Sequence, residues 1–133
     1  MKLRGITGIL ILTAALTSCV PSKHKRVALQ AIQQFHNQFN NYEFAEIYEG
    51  ADQKAKEKIS RSDFMEDMKA MRRGQGAVLK SEEIATDYNY MDGVAMVKIV
   101  VLVSFEKGTA KEEFIYYLRD DKIQLASYHF LGP

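Results

Sequence analysis

The sequence predicts an α+β domain in which N-terminal helices pack on a four-stranded antiparallel sheet. Three observations carry this. Apolar residues recur at helical spacing as far as Gly76. β-Branched and aromatic residues take over from Val78. Asp92-Gly93 stands between two such runs as a hairpin signal. Helices and strands are segregated along the chain, and a sheet alone leaves its apolar face bare, so the helices must cover it.

The elements follow in order. Ala28, Ile32, Phe35 and Phe39 fall at i, i+4, i+7 and i+11, one face of a helix that begins among the preceding basic residues and breaks at Asn40-Asn41. Tyr42 to Gly50 is a short helical turn carrying Phe44, Ile47 and Tyr48. Asp52 caps a further short helix with Ala55 and Ile59 on its apolar side. Ser60 or Ser62 caps the last helix, whose Phe64, Met68 and Met71 share a face, and Gly74-Gln75-Gly76 stops it.

Val78 to Met91 is the first strand. Asp92-Gly93 suits a type I′ turn, which needs positive φ at both central positions. Val94 to Phe105 is the clearest strand. Val97, Ile99, Val101, Val103 and Phe105 take one face, while Met96, Val100 and Leu102 make the other largely apolar. Lys107-Gly108 turns into a third strand, Lys111 to Arg119. Asp120-Asp121 turns into a fourth, Lys122 to Leu131, with Ile123 and Leu125 expected on one face and Ala126, Tyr128 and Phe130 on the other.

The N-terminus has a different character. Lys2 and Arg4 precede an uncharged apolar run from Ile6 to Leu16, shorter than the ~20 residues that span a bilayer. The run ends in Leu16-Thr17-Ser18-Cys19, which resembles the lipobox of bacterial lipoproteins. That resemblance implies diacylglycerol on the Cys19 sulfur, cleavage of residues 1–18 and attachment to a membrane through the lipid. An ordinary secretory leader or an uncleaved short anchor is the plainer reading of the same run. Residues 19–26 would form the lipidated cysteine and a short basic tether, with Lys23, His24, Lys25 and Arg26, and residues 27–133 the domain. The implied location is the cell membrane or, in a diderm host, the periplasmic side of the outer membrane.

The formal net charge is +1, and loss of Lys2 and Arg4 with the leader leaves 16 basic side chains against 17 acidic. A near-neutral chain has no electrostatic bias toward nucleic acid. Cys19 is the only cysteine, so no internal disulfide can form and the fold must rest on packing.

The element order over residues 23–131 resembles the NTF2-like (cystatin-like) superfamily. In particular it is similar to small secreted and lipoprotein members with a Phe39-Asn40-Asn41-Tyr42-Glu43-Phe44 type of turn, a serine entry to the last helix at Ile59 to Phe64, glycine at Gly76 and a tyrosine, Tyr128, in the final strand. A tryptophan common in that strand is absent here. The resemblance implies a strongly curved sheet with the helices in its concave, cone-like face. The superfamily includes isomerases, dehydratases, ligand binders and assembly domains, so it does not give the function.

The chain has no HExxH, CxxC, GxSxG or P-loop signature. His24, His36 and His129 are far apart in sequence, His36 reading as a boundary residue and His129 as one that could enter the cone. Neighbouring acids such as Glu112-Glu113 point to opposite faces of a strand. Asp87 and Glu113 are the candidate acids for proton transfer, with Tyr88 or Tyr116 as donors. The candidate pocket or partner face comprises Tyr88, Tyr90, Val101, Tyr116, Tyr117, Tyr128 and His129, because tyrosines buried by their rings present a hydroxyl at a rim. No cofactor or metal is expected. The expected function is a non-enzymatic, membrane-tethered binding or protein-interaction module of the cell envelope, with a homodimer or an envelope protein as partner. The alternative is a small apolar-ligand binder or proton-transfer enzyme using the cone pocket. A surface lipoprotein that blocks a competing partner is a third reading.

Overall fold

The computed structural model of the chain describes residues 20–133. The expected leader and Cys19 lie outside the described residues. Four helices precede four strands: α1 Val20–Asn40, α2 Phe44–Gly50, α3 Gln53–Lys58, α4 Arg61–Gln75, β1 Val78–Met91, β2 Val94–Phe105, β3 Gly108–Arg119 and β4 Lys122–Gly132. The strands form one open antiparallel meander, β1-β2-β3-β4, with helices packed on one face of the curved sheet. The α+β architecture read from the sequence is therefore the observed one.

Helix α1 starts inside the basic segment, as expected, and Lys23, His24, Lys25 and Arg26 all lie on its first turns. Lys25 Nζ is 2.7 Å from Glu83 Oε1 on β1. At the other end of α1, Asn40 Nδ2 donates to the Val78 carbonyl at 2.9 Å, and Asn40 Oδ1 accepts from the Val78 N–H at 2.8 Å. One side-chain amide thus ties the end of α1 to the start of β1.

Local chemistry explains the short helices. Asp52 caps α3 by accepting from the Lys54 N–H, and Ser60 caps α4 by accepting from the Asp63 N–H. Ser60, not Ser62, is the cap. Helix α4 ends at Gly76, whose φ of 78° suits glycine; a Cβ there would stand 2.7 Å from the Glu106 Cβ. The Asp92-Gly93 turn has φ of 53° and 76°, the paired positive values of a type I′ hairpin. Asp120 and Asp121, with φ of 46° and 61°, turn the β3–β4 hairpin in the same way.

The core lies between α1, α2, α4 and the inner face of the sheet. Ala28, Ile32, Phe35 and Phe39 from α1 meet Val97, Ile99, Val101, Val103 and Phe105 from β2, with Phe44, Ile47, Phe64 and Met68 beside them. Phe35 packs edge-on against Phe114 with ring centres 5.0 Å apart. Each such large apolar side chain contributes about 1.5–3 kcal/mol by leaving water.

The fourth strand departs from simple alternation. Tyr116 pairs with Leu125 and Ile115 with Ser127, so Ala126 is an extra residue on β4. The bulge shifts parity. Ile123 and Leu125 opposite Leu118 and Tyr116 therefore face the same side as Tyr128 and Phe130 opposite Phe114 and Glu112. The expected division of these residues between two faces is corrected accordingly, and all four supply the inner face. Strand β1 also has register shifts, at Leu79 and at Ile84.

Candidate functional site

The inner face of the sheet carries one fully enclosed acid. Glu112 is 0% exposed, and both of its carboxylate oxygens are engaged. Oε2 lies 2.6 Å from His36 Nε2 on α1, and Oε1 accepts the Tyr128 hydroxyl at 2.6 Å. Polar groups removed from water need such partners. Aromatic rings enclose the cluster. His36 stands edge-on to Phe114 at 5.8 Å and to Phe35 at 6.0 Å, and Phe35 and Tyr128 are 4.9 Å apart.

The same surroundings act on the phenols. Burial, reinforced by the neighbouring Glu112, holds the Tyr128 and Tyr116 hydroxyls well above the ordinary tyrosine range, so both stay protonated. Tyr128 spends its proton on Glu112. Its oxygen keeps acceptor capacity and lies 3.3 Å from Met71 Sδ on α4.

Beyond Tyr128 a cavity of about 620 Å³ opens between α2, α3, α4 and strand β4. Its walls include Ile47, Phe64, Met68, Met71 and Leu125, and Lys56, Lys58, Asp67 and His129 lie at its polar rim. Asp52 holds the α3 wall in place. Its N–H donates to the Leu125 carbonyl at 2.8 Å, and its carboxylate pairs with Arg119 at 2.8 Å while capping α3. An apolar volume with a few polar groups at its edge is the usual form of a small-molecule site.

The residues singled out from the sequence separate into four places. Tyr128 lies at the cavity, and His129 reaches its rim, where Nε2 is 2.9 Å from Ser127 Oγ. Tyr116 is buried in the core beside Glu112. Tyr117 lies on the opposite face of β3, its ring beneath Arg119 and Lys54 at 5.0 and 5.7 Å. Tyr88 and Tyr90 are exposed on β1, away from the cavity.

Val101 is 1% exposed and packs under the helices, so it cannot line a partner face; the inward parity of β2 places it in the core. The enclosed acid is Glu112, whereas Glu113 and Asp87 lie on the other side of their strands. His36 is likewise core, not boundary. A signal for it existed, because His36 falls four residues after Ile32 on the buried stripe of α1. Glu112 had a comparable one, two residues before Phe114 on the same strand face. Pairing the two across 76 residues required the fold. No protein-family model matches this chain, and no curated protein matches it.

Proposed function

We propose that the chain is a membrane-anchored binding protein that takes a small apolar ligand into the cavity between α2, α3, α4 and β4. The observation that carries this reading is the cavity itself, open, about 620 Å³ and walled by Ile47, Phe64, Met68, Met71 and Leu125. Pockets of ~300–1,000 Å³ with few polar groups suit drug-sized apolar molecules. The methionines add adaptable walls. The lipobox-like segment ending in Cys19 supports attachment to the envelope. Glu112 argues against proton transfer as the activity, because both its oxygens are engaged and Tyr128 separates it from the cavity.

Native mass spectrometry of the protein tests the binding reading. A retained small-molecule mass that disappears in Ala55→Trp, a substitution placing bulk in the cavity from α3, is the expected result. An empty protein that also fails to bind an apolar naphthalene dye would sink it. The acyl mass on Cys19, read in the same spectra, tests the anchor.

A second reading has its own support. Met96, Val100 and Leu102 alternate with the core residues of β2 and are only half-buried, an apolar strip suited to a protein partner or a second copy. Concentration-dependent dimerisation abolished by Val100→Lys is its expected signature.

A further inference from the structure

Two contacts fix how α1 lies against β1. Lys25 near its start meets Glu83, and Asn40 at its end meets Val78. The helix therefore runs antiparallel to β1, and its N-terminal end points toward the Asp92-Gly93 hairpin. Cys19 is one residue from Val20, about 4 Å along the chain. Val20 therefore stands at the helix end directed toward the hairpin, and a lipid on the preceding residue would be attached from that side.

That end has an unusual surface. Of the eight exposed large apolar side chains among the described residues, three, Tyr88, Tyr90 and Met91, lie within the last four residues of β1, while Leu79 and Ile84 lie further back along the strand. Tyr90 is 72% exposed and Met91 47%, both at the hairpin, and the bulge at Ile84 stands beside the start of α1. The local acids are matched by lysines: Glu83 by Lys25, Asp87 by Lys98 at 3.9 Å and Asp92 by Lys54 at 4.0 Å. Lys23 and Arg26 make no ion pair among the described residues and are exposed, which leaves the surplus basic.

We propose that the hairpin end of β1 and the first turns of α1 form a membrane-contact face, with Tyr90 and Met91 in the headgroup layer and Lys23 and Arg26 on anionic phospholipid. The proposal rests on the anchor reading above. Amphipathic aromatics favour the interface, and basic side chains near an anionic surface are attracted to it. The acidic Asp120-Asp121 turn lies two strands away, roughly 10 Å across the sheet, so the domain tilts with β1 toward the membrane and the β4 side away.

The sequence provides its own reporters, since it has no tryptophan and a single cysteine. The full chain carrying Tyr90→Trp is coupled through Cys19 to maleimide-bearing lipid in vesicles of phosphatidylcholine and phosphatidylglycerol with brominated acyl chains. The expected result is a blue-shifted, quenched emission. Tyr42→Trp, exposed at the far end of α1, should emit as in water. Each of Lys23→Glu and Arg26→Glu should lower the ratio of seated to unseated domain by at least about fivefold. Equal quenching at positions 90 and 42, or none at either, overturns the proposal. Met91→Trp repeats the measurement if Tyr90→Trp does not fold. Coupling supplies the anchor artificially, so absence of an acyl mass on Cys19 in the native protein would remove the anchor reading alone.

Discussion

Glu112 and Tyr128 meet across the β3–β4 ladder, the hydroxyl of one donating to the carboxylate of the other at 2.6 Å, while His36 closes the second oxygen from α1. The contact connects the helix layer, the sheet and the cavity wall through one acid.

Removing that acid leaves two buried partners unmatched. Glu112→Ala is expected to cost about 3–5 kcal/mol, as truncating one partner of a buried pair does. The combined change Glu112→Leu, His36→Leu and Tyr128→Phe should cost clearly less, because no orphaned polar group remains. Urea unfolding of both variants checks the order. If the triple variant is the less stable, the cluster contributes net stability.

Tyr116 and Tyr128 set an alkaline limit. Their hydroxyls are raised by burial and by Glu112, so the unfolded chain loses these protons first. The resulting stability is complete below the ordinary tyrosine range, about pH 10, and declines as pH rises beyond it. Phenolate absorbance should show Tyr116 and Tyr128 titrating only with unfolding. Replacing Tyr116 with Phe should reduce that group to one.

Asn40 holds both backbone groups of Val78. Asn40→Ala should destabilise by about 1–3 kcal/mol, since the Val78 donor and acceptor lose their partner. Asn40→Asp keeps the acceptor and should fall between. Hydrogen exchange at the Val78 amide is the direct readout, and unchanged protection in Asn40→Ala would contradict the contact.

The Lys25–Glu83 pair should loosen in acid. Hydrogen bonds from Lys25 and then Thr86 lower the Glu83 pKa, so its contribution is complete above the ordinary glutamate range and fades as pH falls below about 4. A pair this close to solvent is worth about 0.5 kcal/mol. Amide exchange in the first turns of α1 should rise at low pH in the native chain and already be raised at neutral pH in Glu83→Gln.

The elements were legible because local chemistry and hydrophobic period agree. Gly76, Asp92-Gly93 and Asp120-Asp121 mark turns that demand unusual φ, and the β2 alternation is uninterrupted. The fourth strand hides its irregularity at Ala126, because a bulge leaves no mark in composition while it reverses parity for every residue on one side of it. Val101 is ambiguous in sequence for a different reason. A strand apolar on both faces does not reveal which face the helices cover. The sequence marks Tyr128 as a candidate but not its partnership with Glu112 and His36. Their pairing depends on the crossing of α1 over β3, which no local pattern encodes.

Both outer strands of the open sheet have backbone groups already claimed: Val78 by the Asn40 amide and Leu125 by the Asp52 N–H. Strand β1 is further broken by its two register shifts. An unclaimed, regular and apolar edge recruits strands from other copies, and the growth continues without limit. Here the plugs and kinks interrupt the edges at Val78, Leu79, Ile84 and Leu125 and oppose the pairing of a further strand along those stretches. Fibre growth through these two edges therefore has to begin elsewhere than at the start of β1 or the middle of β4.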